Sequence, residues 1–350
     1  MNTPFRILML TFGSLWFWTE VILAGPPLYP QLAYSPDGAL LAVSGRASSR
    51  TNGVLLFYAQ TLTKVDLYNM PPEVGFLEGG PPFSTVYPLA FSPDGAWLAA
   101  GGVGVLLWNV AQQQLVADLQ GHSRSGISAV AFSPDGRLLA SAGADKIVRL
   151  WDVAQQEELA LLQGHAEWVT TVAFNPEGTL LASGSSDHTV RLWDLLHHQE
   201  IAPWRESGEV TTVAFSPDGQ VLAVGSGGHD IDGDPASESG TVRLRDVTTQ
   251  QDILEFNAGL LYSVAFSPDG RMVASAGFDP AVQLWDVTRQ QEIPIEVSVD
   301  LASSVAFSPD GKKLAWLVLL PTGEVWQWDW NENPTAVYRA SWGQVKTQGY

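Results

Sequence analysis

One short phrase limits what this chain can become. It is an aromatic residue followed by Ser-Pro-Asp-Gly, and seven copies of it, one of them varied, are spread over 350 residues. The copies read YSPDG from Tyr34, FSPDG from Phe91, Phe132, Phe215, Phe266 and Phe307, and FNPEG from Phe174. Successive aromatics stand 57, 41, 42, 41, 51 and 41 residues apart. A period near 41 that lengthens only by insertion marks a repeat architecture, each copy being one supersecondary unit. Proline sets φ at the second turn position and glycine suits the end, so the phrase is a tight reversal.

The residues around each turn read as strands. In the third copy ISAVAF leads into the turn and LLASAGA leaves it. Asp145-Lys146 turns the chain again, IVRLWD makes a third strand, and EELALLQ a fourth after a polar link rich in glutamine. Four short strands per unit without helical periodicity describe one propeller blade. A blade cannot cover both its faces alone, whereas radial stacking covers them and closing the ring protects the edges. The expected fold is therefore all-β, a seven-bladed β-propeller with four antiparallel strands per blade, over residues 30–345 with a short tail at 346–350. Residues 25–30 are too proline-rich for a central strand. Residues 335–341 are the expected fourth strand of the last blade.

The third strands end in Trp151-Asp152, Trp193-Asp194, Trp285-Asp286 and Trp328-Asp329, and Gly121-His122 and Gly164-His165 precede two of the repeats. In these features the chain resembles the WD-repeat β-propeller family, with Phe57-Tyr58, Trp108-Asn109 and Arg245-Asp246 as degenerate copies. The resemblance implies a hydrogen-bonded structural network of His122, Ser141, Asp145 and Trp151 in blade three, and of His165, Ser183, Asp187 and Trp193 in blade four. Serine, histidine and aspartate also make hydrolytic triads. A triad would stand once in a chain, however, and this set stands twice, with a third partial copy at Ser275, Asp279 and Trp285. No catalytic residue is assigned, and a non-enzymatic protein is expected.

In this family one rim is the usual partner surface, formed by the loops between second and third strands and those entering each first strand. Here its candidates are Arg124, Lys146, Trp168, His188, Tyr262 and Phe278. The expected function is a scaffold binding a protein or peptide there. The alternative is an enzyme or sensor, dependent on calcium or a small molecule, with its site near residues 229–238. In that stretch, part of an insertion in blade five, Asp230, Asp232 and Asp234 alternate as in a calcium loop, with Glu238 beyond. Pro235 and Thr241 stand where such a loop needs glycine and a bidentate glutamate, so it is not an EF-hand. His197, His198 and Glu200 fall in a polar link and read as a solvated turn. Arg149, Arg191, Arg243 and Gln283 share one repeat position and read as inter-blade packing. No nucleotide or zinc motif is present, and no cofactor is expected.

Composition bears on compartment and partners. A formal charge of -19 disfavours nucleic acid and anionic lipid, which need clustered cations. The chain has no cysteine, which excludes disulfides and thiolate chemistry. Arg6 followed by an apolar run up to Ala24 has the layout of a signal peptide over residues 1–24. Export to a periplasmic or extracellular space is expected, with residues 7–24 acting as a membrane anchor if the leader is retained.

Overall fold

The computed structural model of the chain describes residues 5–6, 20–21, 31–46, 52–69, 88–102, 104–122, 126–197, 199–227, 240–278, 281–295, 301–318, 324–329 and 337–341. They form seven four-stranded sheets, each an antiparallel meander in chain order. Blade one comprises Leu32–Tyr34, Leu40–Arg46, Asn52–Tyr58 and Thr63–Asn69, and blade two Leu89–Phe91, Trp97–Gly101, Val105–Asn109 and Gln114–Leu119. Blade three comprises Ile127–Phe132, Leu138–Gly143, Ile147–Asp152 and Glu157–Gln163, and blade four Val169–Phe174, Leu180–Ser185, Thr189–Asp194 and Gln199–Arg205. Blade five follows with Glu209–Phe215, Val221–Gly227, Thr241–Asp246 and Asp252–Asn257, and blade six with Leu260–Phe266, Met272–Phe278, Val282–Asp286 and Gln291–Ile293. Blade seven holds Ala302–Phe307, Lys313–Val318, Glu324–Asp329 and Val337–Ser341. Its last strand pairs antiparallel with Glu324–Asp329, so the C-terminal segment completes this blade. Outside the ring, Phe5–Arg6 pairs with Glu20–Val21.

Each turn phrase is held by its own side chains. Ser133 Oγ donates to Asp135 Oδ1 at 2.6 Å and accepts from Leu138 N at 2.9 Å, while Gly136 takes φ +71°. In the variant FNPEG, Asn175 Oδ1 accepts from Leu180 N at 2.8 Å and its Nδ2 donates to Glu177 at 2.9 Å, so the bonding survives the substitution. These glycines also report ring closure. A β-carbon on Gly95 would lie 3.6 Å from Pro36 of the preceding blade, and one on Gly38 in blade one 3.5 Å from Pro309 in blade seven.

The core lies between blades rather than within them. Seven clusters of buried apolar side chains each draw on two adjacent blades. One, with Leu41, Phe57, Leu317 and Val325, joins blade seven to blade one. At the same seam Gln327 Nε2 donates to the Tyr34 hydroxyl at 2.6 Å, and burial pushes that phenol's pKa up. A fully covered Leu or Phe contributes about 1.5–3 kcal/mol, so sealing both faces of every blade is the main stabilising event.

Polar bonds near the axis reinforce the seams. The position three before each turn aromatic carries Thr171, Thr212, Ser263 and Ser304 in blades four to seven. Their hydroxyls accept from the next blade's Val213, Val264, Val305 and Leu32 backbone N–H at 3.2–3.3 Å. Gln31 Oε1, at the same position in blade one, accepts from Leu89 N at 3.4 Å. Blades two and three carry Pro88 and Ala129 there, which have no acceptor side chain. Sequence reasoning missed this belt, although the recurring hydroxyl at one repeat position is its signal.

Candidate functional site

In blade four the polar set closes on itself. His165 Nδ1 lies 3.0 Å from Asp187 Oδ2, and Nε2 lies 2.8 Å from Ser183 Oγ, which also accepts from Trp193 Nε1 at 2.9 Å. A carboxylate only accepts, so Nδ1 carries the proton, Nε2 accepts the serine hydroxyl, and the serine oxygen takes the indole N–H. Burial pushes the His165 pKa down, against the pull of Asp187, and keeps the ring neutral. Burial raises Asp187, but bonds from Thr189, Ala166 N–H and His165 outweigh it and hold the acid at about 2. Blade three repeats the arrangement, with His122 Nε2 2.7 Å from Ser141 Oγ and Trp151 Nε1 2.8 Å from the same oxygen. His122 Nδ1 lies 3.0 Å from both Asp145 oxygens.

This is triad-like bonding without a reachable nucleophile. Ser141 and Ser183 are both 0% exposed, and each serine oxygen is occupied by a neighbouring indole. The glycine of Gly-His lets the neighbouring arginine lie close to the backbone: a β-carbon on Gly164 would stand 2.6 Å from the Arg191 guanidinium, the movable end of a long side chain. The aspartates after Trp151, Trp193 and Trp285 cap the following turns, Asp194 accepting from Leu196 N and His197 N at 2.9 and 3.0 Å. His197 Nδ1 adds a 2.7 Å contact to Asp194 Oδ2, while Glu200 binds Arg191 at 2.6 Å. His198 lies outside the described residues, and no metal-binding group of His, Asp and Glu occurs among those described.

The arginine column also makes ion pairs. Arg149 pairs with Glu158 and Arg191 with Glu200, each inside its own blade, while their guanidiniums also lie against Gly121 and Gly164, which follow the last strands of the preceding blades. The third and fourth strands pair there and bring the two charges to one face. Arg243 differs in pairing with a carboxylate in the connection that enters its blade, that of Glu206. Glu206 stands where blades three and four carry Gly-His, and its side chain is 0% exposed. It also faces Arg245, at the tryptophan position, across 3.2 Å. Asp252 and Glu255 complete the cluster at 2.6 Å from Arg245 and 3.2 Å from Arg243. Val224 fills the serine position. The guanidinium of Arg245 lies 5.2 Å over the Trp204 ring. Blade six keeps Ser275 and Trp285 but lacks the histidine. Trp285 stacks on Phe256 at 4.1 Å, and its Nε1 has no partner among the described residues.

On the rim, the structure gathers Lys146, Trp168 and His188 and places Tyr262 and Phe278 elsewhere. Lys146 and His188 hold φ +69° and +65° at the turns between second and third strands of blades three and four. Lys146 Nζ donates to Ala166 O at 2.5 Å and pairs with Glu167 at 3.2 Å, which tethers it to the loop entering blade four. Trp168 follows in that loop, half-buried, its carbonyl accepting from Ser186 N at 2.9 Å. Tyr262 instead lines an axial cavity of about 150 Å³ with Thr171, Thr212 and Ser304. Phe278 is 45% exposed at the seam of blades six and seven, bridged to Leu301. Arg124, Asp230, Asp232, Asp234 and Glu238 lie outside the described residues.

The architecture defines a class, the closed seven-bladed propeller built from one repeated four-stranded unit. Comparison with known families narrows it. The profile described as the IFT122 first beta-propeller matches residues 85–259, and that of the WD domain, G-beta repeat, matches residues 250–286. The chain belongs to the WD-repeat β-propeller family, whose members are generally non-enzymatic scaffolds that bind proteins. No curated protein matches it.

Proposed function

We propose that this propeller is a non-enzymatic scaffold that holds a protein or peptide partner on the rim of blades three to five. The observation that carries the reading is the row Lys146, Trp168 and His188, a half-buried aromatic between polar groups at adjoining turns. Half-buried aromatics of this kind anchor interfaces. The polar sets with triad-like bonding are sealed in the blades, so the accessible chemistry of this region is recognition. The signal-peptide layout of residues 1–24 supports a periplasmic or extracellular location for this work, the leader being removed or kept as an anchor.

Affinity capture tests this with the full chain, the Trp168→Ala variant and extract of the native compartment, with and without calcium chelation. A protein retained by the wild type and lost from the variant is the expected result. Equal retention by both chains rules out this rim. Loss on chelation in both would shift the function to the blade-five insertion.

A further inference from the structure

The rim row continues into blade five, where an acidic side chain changes its character. Glu209 opens the first strand of that blade, paired in register with Gly227. Its neighbour across the seam is Ser186, whose hydroxyl is buried beside the carboxylate but short of a well-formed hydrogen bond. Ser186 in turn donates its backbone N–H to Trp168 O at 2.9 Å. Trp168, Ser186 and Glu209 are thus contiguous across the seam of blades four and five.

The two carboxylates on this stretch are not equivalent. Glu167 is matched by Lys146 at 3.2 Å. Glu209 has no lysine or arginine partner among the described residues, and the His188 imidazole is its basic neighbour. Desolvation pushes its pKa up, against the Ser186 hydroxyl and His188, with Glu167 pushing the same way as burial. A half-buried carboxylate without a counter-ion is costly to a fold, and a ligand that supplies the cation recovers that cost. A half-buried tryptophan on the loop bonded to Ser186 is the kind of side chain a guanidinium or ammonium group stacks upon. The whole-chain charge of -19 draws cations towards the surface.

We propose that the rim seam of blades four and five binds a cationic side chain, an arginine or lysine of an extended peptide, between the Trp168 ring and the Glu209 carboxylate. This rests on the rim reading above and adds the chemistry of the partner. The Ser186 hydroxyl supplies a second acceptor. Lys146, by engaging Glu167, limits the site to one uncompensated charge.

The test uses the full chain and fluorescence anisotropy with three labelled nine-residue peptides that differ only at the centre, which is Arg, Gln or Glu. Titrations run at about 0.15 M and 0.5 M salt, where screening lengths differ roughly twofold. The Arg peptide should bind at least tenfold more tightly than the Gln peptide, and the Glu peptide more weakly still. Glu209→Gln, which keeps the shape and removes one of many negative charges, should erase the Arg preference. Trp168→Ala should weaken the Arg peptide at least tenfold, and Lys146→Ala should tighten it by freeing Glu167. An unchanged unfolding midpoint in Glu209→Gln establishes that the loss is not one of folding. Equal binding of the Arg and Gln peptides, both lost with Trp168→Ala, overturns the cationic inference while the rim reading stands. Failure of all three peptides overturns the inference too, and the rim reading then rests on the capture experiment. An Arg preference that survives Glu209→Gln overturns it as a diffuse charge effect.

Discussion

Blades four and five occupy adjacent places in one ring and share backbone topology, yet their polar interiors are built from different chemistry. In blade four a histidine, a serine and a tryptophan close a mostly neutral chain of hydrogen bonds that ends on Asp187. In blade five Glu206, Val224 and Arg245 stand at those positions, and Arg243, Asp252 and Glu255 join them in an ion cluster. A buried polar group must find a partner, so the substitutions come as a set. Tryptophan to arginine alone would bury a lone cation, and histidine to glutamate alone would place a carboxylate beside an indole. Blades four and five satisfy the same position with different residues, whereas in blade six the Trp285 Nε1 has no partner among the described residues.

The comparison can be broken most severely in blade five. Glu206→Ala removes a fully buried carboxylate and strands Arg243 and Arg245, whose side chains are 14% and 11% exposed. A loss of about 3 kcal/mol is expected by urea denaturation, because removing one partner of a buried pair leaves an uncompensated charge. The triple change Glu206→His, Val224→Ser, Arg245→Trp should recover part of it. If Glu206→Ala is neutral, the cluster is a solvated surface group and the comparison fails.

Blade four should give way less. Ser183→Ala leaves the Trp193 N–H and the His165 nitrogen without their shared oxygen, an expected cost of about 2 kcal/mol in the same assay. Ser141→Ala is the matching change in blade three and should cost about the same, since the bonding is alike.

Acidity separates the two blades further. The His165 pKa is lowered in the folded chain from its ordinary 6.5, so the native state binds fewer protons than the unfolded one. Its contribution is complete above 6.5 and is lost as pH falls below that value towards the folded pKa. Asp187 acts later, its share being present above 3.8 and lost as pH falls through about 2. Unfolding midpoints at pH 7.5 and 5.5 should therefore differ less in His165→Gln than in the wild type. A larger difference in the variant would contradict a neutral buried ring.

The smallest effect expected is at the seams flanking blade four. Thr171 accepts from Val213 N on one side, whereas Ala129 offers nothing on the other. Ala129→Ser should raise stability by about 0.5 kcal/mol and Thr171→Ala lower it by about 1 kcal/mol, read as shifts in the thermal midpoint. No gain from Ala129→Ser would show that the missing acceptor is already replaced by water.

The ring, the blade count and the strand order were legible because each turn carries its own instructions. Serine, proline, aspartate and glycine within five residues specify the reversal locally, and seven copies leave little choice of architecture. The networks of blades three and four were legible for the same reason, their members lying within about thirty residues of one another on recurring positions. The ion cluster of blade five was not. Glu206 and Arg243 are separated by 37 positions and an insertion, and neither matches a family residue. The ionic partners of the arginine column were not legible either, because a shared repeat position does not say which carboxylate each arginine meets. Among the rim candidates, Lys146 looked free in sequence and is tied to Ala166 and Glu167 in the structure.

What the amino-acid order determined alone is whatever acts over a few residues: turns, strand periodicity, the polar sets, the excess of negative charge. What tertiary structure decided is which charges meet. Coulomb attraction and desolvation depend on distances across seams, and those distances exist only once the ring has closed. Trp168 and Glu209 are unremarkable residues 41 positions apart in the chain, and the fold brings both to Ser186 at one seam.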